Sequence, residues 1–231
     1  MYSKQGDQAV ALEYFNRSLA LLGDAKGRTT VDVLQNIGAA WLLQENYAQA
    51  LQFYGRALAL AEASQDQPAG ARAHIGLGEV YYLTQQYDAA AAHFQRVLDL
   101  NVRSLNNEDF TAYLGLGKSR YRQGGYAHTL ELADRAAALN RESEGKELTA
   151  LLGELRGKVY VALNEPQKAR QSFDESIAAL ESLRADIAAD ERGQSLFFEN
   201  RLAAYHGVIS LLVQRGSPRR PSLMRNVRKL A

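Results

Sequence analysis

HIGLGEVYYLTQQYDAAAAHFQRVL, residues 74 to 98, is the stretch from which the fold is read. His74, Leu77, Gly78 and Tyr81 fall at i, i+3, i+4 and i+7, one face of an α-helix. Ala90, Phe94 and Val97 fall at i, i+4 and i+7 on a second helix. Gln85, Gln86, Tyr87 and Asp88 form a polar break between them, with Asp88 placed to cap the second helix by accepting a bond from its orphan amides. The unit is a helical hairpin, here called helix A followed by helix B.

Its small and large residues return along the chain. Ala11, Ala50, Ala90, Thr129 and Ala169 recur every 39 or 40 residues. Four positions later come Phe15, Tyr54, Phe94, Ala133 and Phe173, a large plug in the same helix that only Ala133 fails to supply. Gly38, Gly78, Gly117 and Gly157 repeat in phase and mark the close crossing point of helix A. A period of about 40 implies a solenoid, because one hairpin cannot bury its apolar face alone and neighbours must stack to make a continuous core.

Composition agrees. The 231 residues are 46% hydrophobic and 23% charged, with four prolines and apolar positions at helical spacing, so the fold class is all-α. Cysteine is absent, which removes disulfides, thiolate metal sites and cysteine nucleophiles. Residues 1–10 lack the apolar core of a signal peptide, and no run approaches the ~18 apolar residues of a membrane span. A cytoplasmic protein is expected. The net charge of +1 hides an asymmetry: Arg219, Arg220, Arg225, Arg228 and Lys229 stand in 217–231 without an acid, leaving 22 basic against 26 acidic residues elsewhere. Such a body does not suit specific nucleic-acid binding, which draws its affinity from phosphate neutralisation.

These phased positions resemble the tetratricopeptide repeat (TPR), whose helix A carries a small residue followed three positions later by an aromatic. Gly38 with Trp41, Gly78 with Tyr81 and Gly157 with Tyr160 fit, as do Tyr47, Tyr87 and Tyr126 at the start of helix B. The family's usual period of 34 leaves five or six extra residues in each hairpin, expected to extend helix B or the loop after it. The resemblance implies a right-handed α-solenoid spanning 1–216. It would comprise a half repeat with helix B at about 7–22, hairpins at about 29–63, 69–101, 108–140 and 146–190, and an unpaired sixth helix A at about 195–215. That last helix would bury Tyr205, Val208, Ile209 and Leu212. Residues 217–231 form a separate basic tail, because Pro221 and Arg225 fall where the small residue and the plug belong. Residues 177–216 are similar to the segment that joins repeats to the caspase-like domain of bacterial CHAT proteins, which implies the regulatory portion of such a protease, truncated or altered after Gly216.

Catalytic patterns are missing. His74, His93, His128 and His206 show neither the i, i+4 spacing of a helical zinc site nor an HExxH motif, and they are read as structural or surface residues. Gly115, Gly117, Lys118 and Ser119 echo the end of a phosphate-binding loop, but Ala112 stands where that loop needs its first glycine. The expectation is a non-catalytic scaffold, without cofactor or metal, that binds a protein or peptide. Self-association through the terminal helices is the alternative.

The resemblance places the ligand on helix A positions lining the inner face. In this chain these are Asp32, Gln35 and Asn36, then Arg72, Ile75, Glu79 and Tyr82, then Leu114, Lys118, Tyr121 and Arg122, then Glu154 and Lys158. Asn36 is the most informative, since an asparagine there in related repeats bonds the backbone of an extended peptide as both donor and acceptor. Gly76, Gly115 and Leu155 replace the residues that elsewhere clamp a terminal carboxylate, so that ligand is not implied.

Overall fold

The computed structural model describes residues 2–23, 25, 27–100, 106–143, 145–187, 206–208 and 210. Among these there are nine long helices and no strand: α1 (Tyr2–Leu22), α2 (Arg28–Leu43), α3 (Tyr47–Ala63), α4 (Gln67–Leu83), α5 (Tyr87–Leu100), α6 (Asn106–Arg122), α7 (Tyr126–Ser143), α8 (Lys146–Ala162) and α9 (Pro166–Ile187). Each even-numbered helix is a helix A. The extra length of the repeat lies within the helices rather than the loops, since α3 runs 17 residues and only 64–66 separate it from α4. No described helix is long and apolar enough to cross a membrane.

The turn from helix A to helix B is built the same way each time. Glu45, Gln85, Gly124 and Asn164 all adopt positive φ, between 58° and 81°. In each turn the following amide reaches back to the carbonyl of Trp41, Tyr81, Arg120 or Tyr160, at 2.8 or 2.9 Å, closing the helix with a left-handed cap. Glycine alone takes this conformation without strain, and only Gly124 supplies it. Helix starts are capped by Asn46, which accepts from Gln49 N at 3.2 Å, and by Asp66, which accepts from Ala69 N at 3.0 Å. Pro166 opens α9, where its missing N–H is not needed. Asp88 is not a cap in this sense. Helix α5 begins at Tyr87, which places Asp88 inside the first turn, where its carboxylate accepts from Nε2 of Gln123, in the turn after α6, at 2.7 Å.

The chain divides into two compact units, 1–125 and 126–231. In the first, aromatic plugs from helix B stand between successive A helices. Tyr54 of α3 covers both Gly38 and Gly76; a Cβ on either would lie 3.0 or 2.4 Å from its ring. Phe94 of α5 does the same between Gly78 and Gly115, at 2.9 and 2.5 Å. The crossing glycine of one repeat and the glycine two residues earlier in the next repeat's A helix thus clear room for one ring. Phe94 is fully buried, which contributes about 1.5 to 3 kcal/mol relative to exposure. The small-residue series is buried at Ala50 and Ala90, whereas Ala11 of α1 is only half-buried. Helix α1 also presents Val10, Tyr14 and Leu21 at 52%, 63% and 88% exposure, an exposed apolar stripe along one face.

In the second unit Phe173 of α9 stands between Gly157 of α8 and Gly207. Residues 206–208 are helical, and Val208 joins the cluster around Ala169 and Phe173. Tyr205, Ile209, Leu212 and the tail 217–231 lie outside the described residues. Gly153 lets α8 approach the backbone of α9 at Ser172, and Ser176 Oγ donates to Ala150 O at 2.7 Å.

Candidate functional site

The candidate site of the first unit is the face of α2, α4 and α6 that carries Asp32, Gln35, Arg72, Glu79 and Lys118. Its first part is a bonded network. Arg72 Nη2 meets Asp32 Oδ1 at 3.0 Å, Arg72 Nε donates to Gln35 Oε1 at 3.2 Å, and Gln35 Nε2 donates to Ala69 O at 2.7 Å. Asp32 and Arg72 are half-exposed, so their attraction is weak in water. The effect of the network is positional: it ties α2 to α4 and holds both carboxamide atoms of Gln35. Asn36, one residue on, is exposed. Its side chain faces solvent beside this rigid lattice.

The second part lies at Glu79. This residue is open to solvent, yet the protein around it raises its carboxyl above the usual range, with Lys118 acting in the opposite sense. Access together with partial desolvation is the signature of a side chain inside a groove. The phenol of Tyr54, at the floor, is pushed up by burial and further by Glu79. Tyr82 stands 5.6 Å from Tyr87, and the Arg122 guanidinium lies over the Tyr87 ring at 5.1 Å. Ile75 is half-buried against Ala71, Val97 and Ala112, and Tyr121 is half-buried. Leu114, at 6% exposure, belongs to the core and offers a ligand little surface.

The structure therefore brings Asp32, Gln35 and Arg72 together, and Glu79 with Lys118. Glu154 and Lys158 belong to the second unit, where they pair with each other along α8. Gly76 and Gly115 are empty lining positions because the rings of Tyr54 and Phe94 occupy their space.

Two features escaped sequence reasoning. The Asp32–Arg72 pair had a signal, opposite charges one 40-residue repeat apart. His74 and His93 had a fainter one: they lie on either side of the turn at Gln85, a separation of 19 residues that no metal motif uses. The hairpin brings their Nδ1 atoms to 2.9 Å.

Comparison with known proteins agrees with the fold. Residues 29–101 match the tetratricopeptide repeat family, which covers α2 to α5. The fold is an array of TPR-like helical hairpins. Among solved structures, the apo form of RapI is similar over 93% of this chain and 79% of its own, at 19% identity and a TM-score of 0.69. A Rap protein complexed with competence and sporulation factor is similar over 98% and 70%, at 15% identity and 0.67. YrrB, a TPR protein with an unusual peptide-binding site, is similar over 95% and 100%, at 19% identity and 0.52. At these identities the likeness is one of fold. No curated protein sequence matches the chain. None of these comparisons carries the CHAT resemblance of 177–216, much of which lies outside the described residues.

Proposed function

We propose that this chain is a non-catalytic scaffold that holds an extended segment of a protein or peptide along the A-helix face of its first unit. The observation that carries this reading is Asn36: an exposed carboxamide beside side chains already locked by the Asp32–Arg72–Gln35 network. Such a group stands on a backbone held by its neighbours and can both donate to and accept from a peptide backbone. Glu79, Lys118, Tyr82 and Tyr121 continue the face and set side-chain preference, with acidic ligand groups near Lys118 and Arg122. The peptide-binding site named for YrrB supports a peptide ligand on this fold. Captured partners, reduced to short peptides and titrated calorimetrically, should bind Asn36→Ala at least several-fold more weakly while its circular dichroism is unchanged. Unchanged affinity for Asn36→Ala combined with Lys118→Ala would move the site off this face.

A second reading, self-association, is favoured by the bare stripe of Val10, Tyr14 and Leu21 on α1. It predicts a mass in solution that rises with protein concentration and a return to monomer on Leu21→Glu. A mass that stays monomeric at all concentrations would remove it.

A further inference from the structure

His74 on α4 and His93 on α5 meet between the two helices of one hairpin: Nδ1 to Nδ1 2.9 Å, ring centroids 5.2 Å apart, planes tilted by 44°. The Tyr81 ring stacks on His93 at 5.3 Å and 14°. Both imidazoles are half-buried. Neutral rings make this contact only as complementary tautomers, one donating from Nδ1–H and the other accepting at Nδ1 with its own hydrogen on Nε2. A first added proton goes to Nε2 of the donor ring and leaves the bond in place. A second must go to the accepting Nδ1, and two N–H groups of two cations then face each other across the gap.

We infer that His74 and His93 form an acid-released latch between α4 and α5. Neutral, the pair bonds the two helices; doubly protonated, it pushes them apart. Burial and the neighbouring positive charge act in the same direction. Arg96, from α5, adds its positive charge to the effect of burial in holding His74 below the ordinary imidazole value, and burial followed by His74 does the same to His93. Among the described residues, no charged group of α2, α3 or α6 is among those that shift either ring. The sign follows. Unfolded histidines take up protons near 6.5, whereas the folded pair stays neutral to lower pH. The latch contributes fully above that value and is lost progressively as pH falls below it, through the lowered folded values. Since α4 carries Arg72, Glu79 and Tyr82, release also loosens the groove; this consequence rests on the peptide-binding reading, but the latch does not.

The test is thermal unfolding of the full chain at about pH 7.5 and about pH 5.5, with a side-chain imidazole NMR titration of the wild type. His74→Gln with His93→Gln should flatten the fall in Tm between the two conditions by about 3 °C or more, a readable shift for a chain of this size. His128→Gln, at an exposed position, should keep the wild-type fall. In the wild type the His74 and His93 signals should titrate below the ordinary imidazole range and in two coupled steps. Parallel Tm curves for wild type and double variant, or two rings titrating independently at the ordinary value, would overturn the latch. If the double variant does not fold, the titration of the wild type decides alone. Neither readout contains a peptide, so failure here is separate from failure of the groove.

Discussion

Phe94 and Ala133 hold the same place in successive repeats, and their surroundings are opposite. Phe94 enters between Gly78 and Gly115, where any Cβ would collide with its ring. Ala133 has no ring, and the position matching Gly115 in the next A helix is Leu155; both are buried. In register, one repeat carries its large residue on helix B and the next carries it on helix A. The repeat therefore keeps a filled layer rather than a residue type, as close packing requires. The difference reaches the candidate site, because a plug on helix B demands glycine on the groove side of the following helix. Gly76 and Gly115 are the result, so no clamp side chain stands at those positions.

The largest expected effect comes from emptying a ring site. Phe94→Ala should cost about 3 to 5 kcal/mol by denaturant unfolding, since Gly78 and Gly115 have no side chains with which to fill the space. Ala133→Phe adds a ring at a buried position, with Leu155 in place of the matching glycine, and should cost about 1 to 3 kcal/mol. Adding Leu155→Gly to that variant should recover much of the loss, and no recovery would break the equivalence of the two layers. Ala90→Leu, at a fully buried position, should likewise cost about 1 to 3 kcal/mol, while substitution of exposed Gln86 changes stability by less than about 0.5 kcal/mol. Equal melting temperatures for those two would show the repeat register to be wrong. The smallest effect has the opposite sign: Gln85→Gly, at φ 62°, should stabilise by about 0.5 to 1 kcal/mol, and the equivalent Gly124→Ala should destabilise.

The hairpins and their phase were legible because glycine and aromatic positions recur within one residue of a fixed period, and packing enforces that recurrence. Even the exception at Ala133 was visible, although its compensation by Leu155 needed the contacts of Gly115 to be recognised. The capping role expected of Asp88 failed because helix α5 starts one residue earlier and Gln123, 35 residues away in sequence, engages the carboxylate instead. The site was legible as positions and not as partners. Asp32, Gln35 and Arg72 could be placed on one face, but which of them bond each other depends on the offset between neighbouring A helices. His74 and His93 were invisible as a pair for the same reason, since contact across a hairpin depends on how the two helices rotate about their axes.

The most direct test of the layer account is a double-mutant cycle joining Phe94→Ala with Gly115→Leu, measured by equilibrium unfolding. Each change alone should destabilise, the first by a cavity and the second by collision with the ring, whose atoms lie 2.5 Å from a Cβ at that site. Together they recreate the Ala133 and Leu155 arrangement, and the double variant should be more stable than the sum of the single losses by at least about 1 kcal/mol. Strict additivity would contradict the account, because it would mean that the ring and the glycine do not share one space.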